Sequence, residues 1–217
     1  MEPMNGDITV VAMHINKNLI GLSLCGGQSI RMGNDKGLII TGGLTWAEIA
    51  FYKLSALGIP VFTSVNDSQK TDYQKIFFSR NLIIDNSSIN VKGPLKGLLS
   101  LHNLFPEKDI IILACDMLGM RTTVLQKLQQ IYVKNENMYD VYIYQQANYL
   151  EPLVAIYRSS FLRKISNEYK NNALKQYSLQ YLISREKIKT INIIEENKLC
   201  FANYNYPSDI SEYQQLS

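Results

Sequence analysis

The sequence predicts an α/β fold: a single Rossmann-like domain with a mostly parallel central sheet and helices on both faces. Three observations lead there. Strand-like and helix-like stretches alternate from Leu19 to about residue 134, the pattern of βαβ units with right-handed crossovers. Ile110-Ile111-Ile112-Leu113-Ala114 is a continuous apolar run, as a parallel strand covered on both faces requires. A second apolar run, Leu19 to Cys25, feeds directly into Gly26-Gly27, so a glycine turn closes a strand at the sheet edge where ligands bind in such folds.

The elements follow in order. Ile8 to Met13 is β-prone and reads as an extra edge strand. After the glycine loop, Leu38-Ile39-Ile40 with Gly42-Gly43 gives a short strand and a turn. Thr45-Trp46-Ala47-Glu48 is a capping box, and Ile49, Ala50, Leu54 and Leu57 continue one helical face up to Gly58. Pro60 to Val65 reads as the next strand, Ser68 to Phe78 as a helix, and Asn81 to Asp85 as a third strand. Pro94 suits the first position of the helix that follows Gly93, where its missing N–H costs nothing. Asp109 to Cys115 is the clearest strand, and Thr122 to Lys134 is helical. Asp140 to Tyr144, Leu153 to Tyr157 and Ile188 to Ile194 read as strands. Phe161 to Asn167, Leu174 to Arg185 and the tail from Pro207 read as helices.

Composition narrows the function classes. The 217 residues are 46% hydrophobic and 19% charged, enough for one sizeable core. A net charge of +3 without any run of like charges gives no basis for a nucleic-acid partner. The three cysteines, Cys25, Cys115 and Cys200, form no Cys-x-x-Cys pair and suit a reducing compartment. His14 and His102 stand at no metal-ligand spacing and read as structural or surface residues. The start shows no basic segment followed by an apolar core, and no apolar run reaches the roughly 18 residues of a bilayer span. The expectation is a cytoplasmic protein without membrane contact.

Chemistry concentrates in the stretch Leu24-Cys25-Gly26-Gly27-Gln28-Ser29-Ile30-Arg31-Met32-Gly33-Asn34-Asp35-Lys36. Glycines let backbone N–H groups approach an anion closely, and Arg31 and Lys36 add fixed positive charge. That is a polyphosphate site. It is neither a Walker A loop, which needs Gly-Lys-Ser/Thr, nor a dinucleotide fingerprint, which needs Gly-x-Gly-x-x-Gly. Asp116 closes the most buried strand. A carboxylate facing a triphosphate loop implies a cation between them, and Mg²⁺ binds one or two carboxylates together with substrate phosphates. A cap on the turn or helix near Thr122 is the other reading of Asp116. Asn66 and Asp85 follow the second and third strands, where they reach a base or ribose or serve as turn residues. Gly93 permits close backbone approach, and the helix start after Pro94 offers free N–H groups.

The stretch from Leu24 to Lys36 closely resembles the Leu-Ala-Gly-Gly-x-Ser-x-Arg-Met-Gly-x-Asp-Lys signature of the molybdenum cofactor guanylyltransferases, within the MobA-like nucleotidyltransferase superfamily. Further motifs occur in the family's order. Gly93-Pro94-Leu95-Lys96-Gly97 resembles Gly-Pro-Leu-x-Gly, and Cys115-Asp116-Met117-Leu118 resembles Cys-Asp-Met-Pro. Pro152 to Tyr157 resembles Pro-Leu-x-Ala-x-Tyr, and Asn203 to Asp209 resembles Asn-x-Asn-Thr-Pro-x-Asp. The resemblance implies a nucleotidyltransferase fold over residues 18–217, with 1–17 as an extension of unknown role. It implies nucleotide binding by Leu24, Cys25, Gly26, Gly27, Lys36, Asn66, Asp85, Gly93, Pro94 and Asp116, with Asp116 on Mg²⁺. It implies catalytic roles for Arg31, Lys36 and Asp116, and an acceptor side that includes Pro152 and Asn205. The implied reaction transfers GMP from GTP to molybdopterin and releases pyrophosphate, with transient contact to molybdenum cofactor biosynthesis or acceptor proteins. A cytidylyltransferase, a sugar-phosphate nucleotidyltransferase and a non-catalytic nucleotide-binding protein on the same fold are the alternatives. The departures are Gln28 for arginine, Leu118 for proline, Tyr206 for threonine, and the N-terminal extension.

Overall fold

A computed structural model describes residues 18–26 and 35–204. Its seven-stranded sheet has the order β5-β4-β1-β6-β8-β7-β9. The strands are β1 (Leu19–Leu24), β4 (Val61–Val65), β5 (Leu82–Ile84), β6 (Asp109–Ala114), β7 (Val141–Gln146), β8 (Tyr149–Tyr157) and β9 (Ile188–Asn192). Two more short strands, β2 (Ile40–Thr41) and β3 (Leu44–Thr45), pair apart from it as a hairpin. β5, β4, β1 and β6 run parallel, as the alternation of elements predicts. β8 pairs antiparallel with both β6 and β7, while β7 and β9 are parallel. β6 is therefore central and buried on both faces, but only its β1 neighbour is parallel. β7 and β8 join through a tight turn, which forces one of the pair to reverse.

Alternation along β6 divides the core. Ile111 and Leu113 face one side, with the buried residues of α1 (Trp46–Ser55) and α4 (Thr122–Lys134). Ile110 and Ile112 face the other, with α3 (Pro94–Leu104), α5 (Ser159–Lys170) and α6 (Leu179–Ile183). The capping box of α1 forms as predicted: Thr45 Oγ1 accepts from Glu48 N at 3.2 Å and Thr45 N donates to Glu48 Oε2 at 2.8 Å.

Several expectations change. The stretch Ser68 to Phe78 is not one helix. A 3-10 turn over Asp67–Gln69 leads into the single-turn α2 (Lys70–Tyr73). Ile76, Phe77 and Phe78 are consecutive, so no one helical face can bury them all. Phe77 enters the core and Phe78 stays 75% exposed. Leu174 to Arg185 shrinks to α6, because the Ser178 hydroxyl accepts from Tyr181 N and starts the helix there. Leu38 belongs to a 3-10 turn over Lys36–Leu38, and the strand begins at Ile40. A 3-10 segment over Glu195–Phe201 has no counterpart in the sequence reading. The expected strand at Ile8 to Met13 and the expected helix from Pro207 lie outside the described residues.

Asp109, at the amino end of β6, is 1% exposed and fully engaged. Tyr132 Oη donates to Oδ2 at 2.6 Å, Ser159 N donates to Oδ1 at 2.7 Å, and Arg158 Nε lies 3.3 Å from Oδ2. One carboxylate thus anchors α4, caps the start of α5 and neutralises a guanidinium, which explains why α5 begins at Ser159, earlier than Phe161. Asp109→Ala leaves these donors buried without their acceptor. The expected loss is about 3–5 kcal/mol, measured by urea unfolding.

Candidate active site

The site is built at the carboxyl ends of β5, β4, β1 and β6. Cys25 N donates to Ser64 O at 3.0 Å, and Cys115 N donates to Leu24 O at 3.2 Å, so the first glycine loop leaves the sheet directly beside the β6 terminus. Across 80 positions of sequence, Lys36 Nζ meets Asp116 Oδ2 at 3.2 Å. Both side chains are sheltered, 16% and 20% exposed. Asp116 Oδ1 is buried and has no hydrogen-bond partner among the described residues. Asp116 does not cap α4: that helix begins after Arg121 with no side-chain cap bond.

Asp85 is drawn into the same edge. Its N–H donates to Val65 O at 2.8 Å and its Oδ1 accepts from Ser64 Oγ at 2.5 Å. Burial pushes the Asp85 carboxyl above its usual range, while the Ser64 bond and the Lys96 ammonium in the first turn of α3 oppose that rise. Gly26 makes this arrangement possible, since a Cβ there would sit 2.9 Å from Asp85 Oδ2. Leu24, Cys25, Gly26, Lys36, Asp85 and Asp116 therefore meet at this edge, as the sequence reading expects.

Asn66 reaches the edge but is engaged locally. Its Oδ1 accepts from Gln69 N at 3.1 Å and Ser68 Oγ at 2.6 Å, while Gln69 Oε1 accepts from Asn66 N at 2.9 Å. This is a capping box, and the spacing Asn66-Asp67-Ser68-Gln69 carries its signal in the sequence. Gly27, Arg31 and Asn205 lie outside the described residues. Tyr204, next to Asn205, donates its N–H to Asp116 O at 3.0 Å.

The sequence reading missed the role of Asp35. Its Oδ1 accepts from Gly37 N at 3.0 Å and Tyr73 Oη at 3.1 Å, and its Oδ2 accepts from Gln69 Nε2 at 2.5 Å. Gln69 Nε2 also donates to Cys25 O at 3.1 Å. One carboxamide thus holds both flanks of the segment between Gly26 and Asp35, and Asp35 presents Lys36 to Asp116.

Gly93 has φ +75° and ψ −160°, a conformation that needs glycine, and Pro94 then opens α3. Pro94 and Pro152 share the wall of one pocket of about 580 Å³, together with Lys92, Leu153 and Tyr177. The reversal of β8 is what brings Pro152 here. Val154 pairs with Leu113 at the end of β6, so the residues before it extend past the carboxyl edge.

The set can bind and neutralise phosphate groups: a cation on a short rigid turn, a carboxylate with one open oxygen, and a helix start. No three His, Cys, Asp or Glu side chains cluster as a metal cage among the described residues. A hard cation held by one carboxylate, water and phosphate fits the buried Asp116 Oδ1, which has no partner among the described residues.

An edge that gathers such a set suits phosphate-bearing ligands, and the family and relatives of the chain give the class: a nucleotidyltransferase. The chain belongs to the MobA-like NTP transferase domain family, whose model matches residues 21–186. A molybdenum cofactor guanylyltransferase of Campylobacter jejuni subsp. doylei is 27% identical over 191 residues, covering 88% of this chain and 93% of the relative. A probable molybdenum cofactor guanylyltransferase of Methanocaldococcus jannaschii is 29% identical over 197 residues, covering 82% and 96%. In fold, the crystal structure of molybdopterin-guanine dinucleotide biosynthesis protein A from Archaeoglobus fulgidus aligns at a TM-score of 0.73 with 19% identity, covering 91% of this chain and 97% of that one. No helix among the described residues is long and apolar enough to cross a membrane.

Asp35→Ala leaves the buried Tyr73 hydroxyl and the Gln69 amide without their shared acceptor. The expected cost is about 1–3 kcal/mol in urea unfolding, with nucleotide affinity reduced because Lys36 loses its anchor.

Proposed function

We propose that this chain transfers GMP from GTP to molybdopterin, releasing pyrophosphate and forming the guanine dinucleotide cofactor, with Mg²⁺ as the metal. The juxtaposition of Lys36 and Asp116 at 3.2 Å carries this reading, since it joins a phosphate cation to a metal-competent carboxylate at one sheet edge. The two guanylyltransferase relatives support the choice of substrates.

In the reaction, an oxygen of the acceptor's terminal phosphate attacks the α-phosphorus of GTP. A new P–O bond forms, the bond from the α-phosphorus to the bridging oxygen breaks, and pyrophosphate leaves with that oxygen. The phosphate nucleophile is already ionised near neutrality, so no general base is needed. Little covalent work falls to the protein, and catalysis consists of positioning and charge neutralisation. Asp116 would hold Mg²⁺ through the open Oδ1, and the metal would supply Lewis-acid charge at the phosphates. Lys36, fixed by Asp35, stabilises charge on the phosphates and on the leaving pyrophosphate. Arg31 adds a second cation in the same loop. Asp85 Oδ2, free of the Ser64 bond, offers an acceptor to the N–H groups of guanine. The pocket between Pro94 and Pro152 adjoins this edge and suits the acceptor.

Asp116→Ala is expected to abolish Mg²⁺-dependent pyrophosphate release from GTP and molybdopterin, and undiminished turnover would refute the metal role. Lys36→Ala is expected to weaken GTP binding about tenfold or more in a calorimetric titration. In thermal unfolding with Mg²⁺, GTP should raise the midpoint more than CTP, ATP or UTP. A ligand at one hundred times its Kd adds about 2.7 kcal/mol to the folded state. A larger shift with CTP would assign the base to cytosine.

A further inference from the structure

The connection from Asp116 to Arg121 carries the metal carboxylate, yet it has few bonds of its own. Two turns run through it, Met117 N to Ala114 O at 3.2 Å and Met120 N to Met117 O at 3.1 Å. The family pattern would place proline at position 118, and this chain has Leu118. Other elements hold the connection instead. From α1, Lys53 Nζ donates to Leu118 O at 2.5 Å. From the segment Glu195–Phe201, Arg121 is gripped by the Glu196 carbonyl, by Asn197 Oδ1 at 2.6 Å and by Cys200 Sγ at 3.3 Å. Gly119 lies so close to this segment that a Cβ would sit 2.6 Å from Leu199 O. Tyr204 N completes the set on Asp116 O at 3.0 Å.

Lys53 is the unusual member. Burial holds its ammonium down to about 8, and the nearby Cys200 opposes that shift only in part. A lysine with no role at this place would extend to water. Its head turns instead to a single backbone carbonyl, two residues beyond Asp116.

We infer that Lys53 is a positioning residue for the metal carboxylate: its bond to the Leu118 carbonyl, with the 195–204 segment on the other side, fixes the Asp116 connection where a proline would otherwise stiffen it. This rests on the reading of Asp116 as the metal ligand. A metal ligand's orientation depends on the groups that hold its backbone and side chain, and removing one such group costs about tenfold or more in metal affinity. Proline at 118 would restrict the same stretch of backbone covalently.

The test is Mn²⁺ binding, followed by electron paramagnetic resonance in the presence of GTP, on folded protein well below its unfolding midpoint. Lys53→Met keeps the stem and removes the donor. The expected result is Mn²⁺ affinity about tenfold weaker, with a circular dichroism spectrum like that of the wild type. Leu118→Pro in the Lys53→Met background is expected to restore most of the affinity. Unchanged affinity in Lys53→Met, beside a loss in Asp116→Asn, overturns the inference and leaves the metal reading standing. A loss that persists in the double variant overturns it, because proline then does not stand in for the lysine bond; removing the Lys53 charge alone would strengthen Mn²⁺ binding. Wild-type protein that binds no Mn²⁺ removes the metal reading, and this inference with it.

Discussion

β1 and β6 pair in parallel over six residues, from Leu19 opposite Asp109 to Leu24 opposite Ala114. A slip of one residue would turn every side chain of β6 to the opposite face. Ile110 and Ile112 would then leave the layer of α3 and α5, and Asp109 would leave Tyr132 and Arg158. The register is therefore held by the core on both faces and by a buried charge network at one end. At the other end, that register delivers the glycine loop and Asp116 to the same edge. Lys36 finds Asp116 because the two strands carrying their loops cannot slide.

Much of this was legible because its signals are local. The continuous run Ile110 to Ala114 reads as a buried strand, Thr45 to Glu48 as a cap, and Pro94 after Gly93 as a helix start. In each case a few neighbouring residues decide the geometry. The site set follows from the same logic: residues just past strand ends share an edge, so Gly26, Asp85 and Asp116 fall within reach of one another. Distant partners decide what was missed. Tyr73 closes the single turn of α2 while its hydroxyl serves Asp35, 38 residues away. Lys53 and Leu118 are 65 residues apart, and neither belongs to a pattern that marks the other. The direction of β8 was also hidden, because an apolar run buries equally well in a parallel or an antiparallel ladder.

The reversal of β8 has a functional side. A uniformly parallel sheet brings only strand ends to the ligand edge. An antiparallel strand brings its beginning there, so Pro152 and Leu153 arrive from later chain to face the start of α3. The earlier part of the chain supplies Lys36 and Asp116, and the later part supplies this wall. The 195–204 segment then returns to the earlier part and holds the Asp116 connection.

The two carboxylates at the ends of β6 live in opposite states. Asp109 has its donors within the fold, whereas Asp116 Oδ1 is buried without one among the described residues. Burial of an acceptor oxygen costs free energy unless a donor or a cation meets it. A cation bound there would recover that free energy and favour the folded state by mass action. With Asp116 as the proposed metal ligand, the carboxyl end would make part of the protein's stability a function of what is bound, coupling occupancy to folding through one oxygen atom.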